Sequence, residues 1–413
     1  MRVLMKKGTF VRQGATGNQS VTGVGFQGKV LICWHTRQTA VGSTSGLQAG
    51  FGFAVSSSQR FCCAYASDTA VAVSNTGKGS AAGIIRVFSD GTPTVDAAAD
   101  FVSFDADGFT IDWTTDVTAL AQIIHYVVLG GPGILNAFIG QFAGPAGTGE
   151  TNFTGVGFKG NFFMQFNTNQ TATGDEVNMV FGNGAAVSRF KRGCISGGEA
   201  DGSDMTTRVE RVYSNTTCLI SYTNAGTARD NIADFVEFTD DGFDLNYSQT
   251  TTNAVLFWAL VIQGGLWDIV PNYVGAPVNN TYAGRATPGM VPVGLMAITT
   301  GATTASDTEA ADFDSVFGAG TIGPGVIEQG GTHLTSDNVI NTDTDQSTET
   351  IRMIFRYNQD NTLNSSAKVV EDSARSDGFT LFWDDSGGAS LHVVIVIGEE
   401  YWPGPPTSDG LTA

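Results

Sequence analysis

The sequence predicts an all-β protein built of three tandem antiparallel β-sandwich modules of jelly-roll-like type, and three observations carry that expectation. The string Asp107-Gly108-Phe109-Thr110-Ile111-Asp112-Trp113 returns as Asp241-Gly242-Phe243-Asp244-Leu245-Asn246-Tyr247 and again as Asp377-Gly378-Phe379-Thr380-Leu381-Phe382-Trp383. The interval of about 135 residues is a whole domain, not the roughly 20 to 50 residues of a solenoid turn. Apolar residues fall in short runs rich in β-branched and aromatic side chains, bounded by Gly, Asn, Asp or Ser, and helical periodicity is scarce. A chain of 413 residues exceeds one ordinary core and suits three.

Each module opens on a glycine-aromatic signature. Thr22-Gly23-Val24-Gly25-Phe26-Gln27-Gly28-Lys29 matches Thr154-Gly155-Val156-Gly157-Phe158-Lys159-Gly160-Asn161, and Thr36, Gln38 and Thr39 keep register with Thr168, Gln170 and Thr171. In the third copy the segment from Met290 to Ile298 stands in for the entry and its strand. A middle echo pairs Arg86-Val87-Phe88-Ser89 with Arg211-Val212-Tyr213-Ser214, and in part with Arg356-Tyr357. The Asp-Gly dipeptides read as turns, in which glycine takes positive φ and aspartate bonds its own backbone. Aromatics four residues apart then share one strand face, so Phe109 with Trp113, Phe243 with Tyr247, and Phe379 with Trp383 are the expected core anchors.

Each module closes on a continuous apolar strand, from Ile123 to Leu129, Val255 to Ile262 and Leu391 to Ile397, which reads as a central strand covered on both faces. Without helices to cover a parallel sheet, such strands argue for two antiparallel layers. The predicted boundaries are residues 1–131, 132–265 and 266–398, followed by a C-terminal arm, 399–413. Each module is expected to close on its own water-excluding core. The boundaries fall after Gly130-Gly131 and Gly264-Gly265, and the short linkers, Pro132-Gly133 and the entry into Leu266-Trp267-Asp268, permit either a rod or a three-lobed body around a pseudo-threefold axis.

Composition narrows function. A formal charge of −19 with 21 Lys and Arg disfavours binding to a phosphate backbone. The longest apolar run, Ala254 to Ile262, is about half of what a membrane-spanning helix requires, so no membrane insertion is expected. The opening residues lack the apolar segment of a secretory signal, and the several Asn-x-Ser/Thr triplets are expected to carry no sugar. The odd set Cys33, Cys62, Cys63, Cys194 and Cys218 reads as small buried hydrophobes.

Chemistry is sparse. His35, His125, His333 and His392 show no metal-ligand spacing, although His125 and His392 both fall in closing strands. The acidic groups Asp105-Ala106-Asp107, Asp240-Asp241 and Asp343-Thr344-Asp345 do not continue as calcium loops and read as solvated turns. Cys33 and His35 alternate onto one strand face with no further partner, and no nucleophile elbow occurs. No pair of carboxylates stands out as a glycosidase constellation. No catalytic residue, metal ligand or cofactor is expected.

The glycine-aromatic entry followed by the Asp-Gly-Phe segment and an apolar strand ending in Gly-Gly resembles repeat modules of structural proteins of tailed bacteriophages. The resemblance covers most of residues 1 to 265 and, more weakly, 266 to 398. It implies a non-enzymatic virion component, a capsid-decoration, collar or tail-appendage protein made in the host cytoplasm. Its implied partners are other virion proteins and copies of itself. The basic N-terminus, Arg2, Lys6, Lys7 and Arg12, is a candidate docking patch for an acidic partner, or else an edge strand guarded by lysine. Tyr401 and Trp402, amid prolines, suit a docking arm. The rival readings are a lectin-like adhesin or receptor-binding tail protein, whose exposed aromatics would stack on host surface glycans, and a depolymerase.

Overall fold

The computed structural model describes residues 2–400 except residues 90, 203–208, 224–227, 252–253, 275–279, 283–289, 301–305, 323–326, 338–342, 358–362, 371–378 and 387–390. Every regular element within them is a β-strand, and all strand pairs are antiparallel. The first repeat supplies β1 (Leu4–Val11), β2 (Gly17–Thr22), β3 (Gly28–Thr36), β4 (Gly42–Ser45), β5 (Leu47–Ala54), β6 (Arg60–Ser67), β7 (Thr76–Ala81), β8 (Ile85–Phe88), β9 (Val95–Asp105), β10 (Gly108–Asp116) and β11 (Ile123–Gly130). The next eleven strands lie between residues 134 and 264, and the last eleven between 266 and 400. The pairing is nested at its ends, β1 with β11 and β2 with β10. A large sheet, β1-β11-β3-β5-β6-β7, thereby faces a small one, β2-β10-β9-β8, and the later strands repeat both orders.

No large sheet is completed by its own repeat. The seventh strand of the first is β15 (Gly174–Val177), from the second repeat, paired with β7. β26 (Glu309–Ala311), from the third repeat, pairs with β18 (Val209–Ser214) in the second sheet. β4, from the first repeat, pairs with β29 (Asp343–Glu349) in the third. These three short strands are counterparts, each lying between the third and fifth strands of its repeat, so the exchange runs in a closed cycle. We call them tongues. Each covers an edge that would otherwise present a free row of backbone N–H and C=O groups. Each ends on one residue of positive φ before the next strand: Gly46, Asn178 or Asp312, with φ of 85°, 69° and 68°. Glycine, asparagine and aspartate are the residues that tolerate this region best.

The expectation of three independent cores is corrected by the packing. One apolar cluster draws Val30, Ile32, Trp34, Val127 and Leu129 from the first repeat, Phe166, Leu256, Trp258, Leu260 and Ile262 from the second, and Ile298, Val393, Ile395 and Ile397 from the third. The alternate residues of the same strands point the other way. Leu31, Cys33, Ile124, Tyr126 and Val128 fill the space between the large and small sheets of the first repeat. Phe257, Ala259 and Val261 do so in the second, and Val394 and Val396 in the third. The closing strands are continuously apolar because both faces are buried, one under the small sheet and one against the other two repeats.

The two repeated signatures form one device. The carboxylate of Asp107 accepts backbone N–H bonds from Gly23 (3.2 Å) and Gly25 (2.5 Å), and that of Asp241 accepts them from Gly155 (3.1 Å) and Gly157 (2.6 Å). The glycines of the entry loop have positive φ, between 83° and 92°. The expected positive φ at the Asp-Gly glycines is not found. Gly108 and Gly242 begin strands, and glycine is required there because a Cβ would run into the carbonyl oxygen of Val21 or Phe153 on the neighbouring strand. In the third copy Asp377 and Gly378 lie outside the described residues. The anchors Phe109, Trp113, Phe243, Tyr247, Phe379 and Trp383 are all buried, between the sheets of their repeats. The middle echo holds only in part: Arg356-Tyr357 lies in β30 (Ile354–Tyr357), the counterpart of β8, but the match of Arg86 with Arg211 is a coincidence of sequence. Arg86 lies in β8 of a small sheet, whereas Arg211 lies in β18, the counterpart of β7 in a large one.

Two outcomes follow. A fragment of residues 1–131 would expose one face of its large sheet and the β7 edge, and it is expected to show no cooperative thermal unfolding by circular dichroism, whereas the full chain does. Asp241→Ala leaves two exposed loop N–H groups to water in place of their charged acceptor and is expected to cost about 0.5–1.5 kcal/mol in chemical denaturation.

Candidate functional site

The seams between repeats gather the polar and charged side chains that sequence reading could not place. At the β7–β15 seam the guanidinium of Arg86 donates to both carboxylate oxygens of Asp175 (Nε–Oδ1 2.8 Å), and Lys78 lies 3.9 Å from Glu176. Burial pulls the Lys78 amine down to about 8 against the opposing pull of Glu176 and Asp230. At the β18–β26 seam Arg229 pairs with Glu309 at 2.9 Å. The β4–β29 seam differs, because its tongue, Gly42-Ser43-Thr44-Ser45, carries no charge. Amides hold it instead. Gln346 Nε2 donates to Gln48 Oε1 (2.7 Å), the Arg37 backbone N–H donates to Gln346 Oε1 (2.8 Å), and Gln38 Nε2 donates to Thr44 Oγ1 (2.6 Å) and to the Gln346 carbonyl (2.8 Å).

Beside that seam opens a polar cleft of about 480 Å³, walled by Arg37, Thr44, Ser45, Gln48, Asp68 and Gln346, with Val71 and Leu120 as its apolar part. Its hydroxyls and amides are fixed by the hydrogen bonds above and can hold a polar ligand by hydrogen bonding. A second cleft, about 180 Å³, lies where the linkers meet, between Gly133, Leu135, Gly264, Gly265, Leu266, Glu399 and Glu400. A small cavity of about 30 Å³ sits among Trp34, Phe51, Tyr65, Met179, Phe181 and Phe317, where all three repeats touch. It has room for about one water.

The basic N-terminus does not form an outward docking patch. Lys6 pairs with Glu328 at 2.5 Å, and Lys7, only 2% exposed, donates to the Gln329 carbonyl at 3.0 Å, so both bind the third repeat of the same chain. Burial lowers Lys7 to about 8, opposed by Glu328. Arg12 is also buried and holds Asp96 (2.9 Å) and Asp116. Asp96 in turn accepts from the Thr118 backbone and hydroxyl, at 3.1 and 2.8 Å, so this cluster fastens the loop between β10 and β11. Arg2 remains exposed. Tyr401 and Trp402 lie outside the described residues.

The histidines separate by face. His125 looks toward the shared centre, stacks on Trp34 and bonds Thr348 of the third repeat through Nε2 at 2.6 Å. His392 looks into its own sandwich beside Trp383. Burial holds His125 well below the usual imidazole range and puts His35 and His392 at about 3. His333 Nε2 donates to Asp314 Oδ1 at 2.8 Å, and Arg356 Nε donates to the second carboxylate oxygen at 2.6 Å. Burial alone would raise the Asp314 carboxyl, but Arg356 and His333 outweigh it and hold it below the ordinary range. The His125–Thr348 pair has the spacing of a base and a hydroxyl nucleophile, yet both side chains are fully buried, so no substrate reaches them. All five cysteines are buried thiols, and burial raises Cys33, Cys62, Cys63, Cys194 and Cys218 alike, which makes them poor nucleophiles. Cys62 and Cys63 face opposite sides of β6.

Among the described residues no group of three or more His, Cys, Asp or Glu side chains is arranged to hold a metal ion. Asp105 accepts from Ser103 and Thr110, and Asp107 is engaged by the glycine loop. No helix of the described residues is long and apolar enough to cross a membrane. No protein-family model matches the chain, and no curated protein matches it significantly.

The seams were invisible in sequence because their partners lie as much as 309 residues apart. The one available signal was the register of Gln38 with Gln170 and of Thr36 with Thr168, polar residues repeated where a strand would otherwise be apolar. Replacing Arg12 by Met leaves two buried carboxylates facing each other and is expected to cost about 3–5 kcal/mol by urea unfolding, far more than removing Arg86 from its partly exposed pair.

Proposed function

We propose that this chain is a non-enzymatic structural protein of a tailed-phage virion, an exposed accessory component such as a capsid decoration, collar or tail appendage. The observation that carries the reading is the cyclic exchange of tongues, which closes three repeats of one chain into a threefold-like body. Threefold positions of icosahedral shells and trimeric tail appendages take bodies of this kind, and closed symmetry is how soluble assemblies avoid open-ended growth. The polar groups at the seams are spent on holding the body together, and its buried imidazoles and thiols are out of reach of substrate. Other virion proteins, and further copies of the chain, are the partners this reading assigns. Copies would meet through outer faces rich in hydroxyl and amide groups.

The test is in place. Particles purified from cells that encode the chain should contain it by mass spectrometry and bind antibodies against it at discrete sites under the electron microscope. Its presence only in the soluble cell fraction, with bare particles, contradicts the proposal.

The cleft beside the β4–β29 seam supports the second reading, a glycan-binding appendage. The repeated aromatics are core, so they give that reading no stacking platform, and any sugar would bind through Arg37, Asp68, Thr44 and the glutamines. On this reading Thr44→Trp, which fills the cleft, abolishes retention on host polysaccharide. On the structural reading alone the wild type is not retained at all.

A further inference from the structure

Glu199 ends β17 (Lys191–Glu199) and is fully buried. Its counterparts are Ser67 at the end of β6 and Ser336 in β28 (Gln329–Asp337). Ser67 stands opposite Thr76, Glu199 opposite Val209 and Ser336 opposite Thr344, at the start of the strand that follows in each sheet. Equivalent positions of all three repeats therefore meet at the tongue end of the body. The Ser67 hydroxyl donates to Glu199 Oε1 at 2.7 Å, and the Ser336 hydroxyl lies beside the same carboxyl and also favours its ionised form.

We propose that this junction is a pH-gated clasp: protonated, Glu199 lets the three large sheets close at the tongue end, and ionised, it loosens that end while the linker end stays shut.

The charges around the junction are one-sided. Those acting on Glu199 are Asp201 and Asp68, both negative. The cations on the strands packed round it are engaged elsewhere. Arg60 of β6 pairs with Asp100, and Lys78 of β7 lies at its seam by Asn169 and Glu176. On β18, Arg211 acts on Asp314 and Glu210 sits by Arg229 and Glu309. His333 of β28 bonds Asp314, and β16 (Met179–Ser188) has no titratable side chain. Burial raises the Glu199 carboxyl to about 7, only partly offset by the Ser67 and Ser336 hydroxyls. The same end holds Asp345 in the seam without charged pairs, raised to about 6 by burial and by Asp343. The linker end is held by ion pairs, Lys6 with Glu328 and Lys191 with Asp268, which persist as carboxyls ionise.

The sign follows from proton uptake. Between the ordinary glutamate value and about 7 the closed form binds a proton that the open form lacks, so closure is favoured below that window and weakens as pH rises through it. Hydrogen exchange on the full chain, read by mass spectrometry near pH 5.5 and near pH 8.5 and corrected for intrinsic rates, tests it. In the wild type, protection of residues 62–67, 194–199 and 331–336 should fall by roughly tenfold or more at the higher pH, with residues 4–8 and 134–140 little changed. Glu199→Gln should remove most of the fall, leaving only the smaller part that Asp345 contributes. Should that variant not fold, Glu199→Ser installs the residue of the two equivalent positions and should do the same. A wild type whose protection is flat with pH, a loss spread evenly over both ends, or a folded variant that keeps the wild-type response overturns the proposal.

Discussion

Burial of both faces of the large antiparallel sheets is the constraint on which the rest depends. An antiparallel sheet commonly keeps one face on a core and the other in water, and its strands then alternate apolar with polar. Here the strands do not alternate: Val30 to Trp34, Leu256 to Ile262 and Val393 to Ile397 are apolar at every position and buried at every position. The small sheet covers one face. Nothing within a repeat covers the other, so the three large sheets must cover one another, and a chain with three such sheets closes into a ring around a shared apolar centre. At roughly 25 cal/mol per Å² of apolar surface, a face bearing Trp34, Phe51, Phe166, Trp258 and Phe317 is too costly to leave in water.

Closure makes demands on the edges. Sheets packed around one centre bring their ends close together, and each tongue extends from its own sheet to the free edge of a neighbour. Backbone pairing alone would allow a tongue to slip in register, since three or four residues without a buried apolar face specify little. Side chains fix it. Arg86 on Asp175, Arg229 on Glu309 and the Gln48–Gln346 pair each name one partner. Two seams use charge and one uses amides, so the ring is symmetric in backbone but not in chemistry, and its response to pH and salt is concentrated at particular places.

Much of the fold was legible in the sequence, and the reason is local. Strand character, turn residues and the period of the Asp-Gly-Phe signature are set by neighbours along the chain, as are the anchors Phe109, Phe243 and Phe379. The apolar closing strands even announced that both their faces were covered, but sequence could not say by what. Composition cannot distinguish a second layer of the same module from a neighbouring module. The lysines mislead for the same reason: Lys6 and Lys7 look like a free basic patch until Glu328 and Gln329 are placed against them. The Asp-Gly glycines show the reverse case, in which the residue was correctly singled out for a wrong cause. A neighbouring carbonyl oxygen, not a left-handed backbone, excludes a side chain at Gly108 and Gly242. The cleft beside the β4–β29 seam had no sequence signal at all, because its walls come from residues near 40, 68, 120 and 346.

Joining the repeats in one chain also permits what three identical chains could not hold. In a homotrimer any residue near the axis occurs three times, and three carboxyls at the position of Glu199 would stand side by side in a dry junction. Like charges that close cannot all ionise, and three buried acids would oppose closure over the whole neutral range. Once the copies are covalently joined they vary independently. Two carry the small hydroxyls of Ser67 and Ser336 and one carries the carboxyl they surround, so a single proton is enough to set the state of the junction. The same independence puts the Arg12 cluster in the first repeat, where the second has Gly144, and a charge-free tongue in only one seam. The repeated backbone therefore supplies the closed shape, and the differences among the three copies determine where that shape responds.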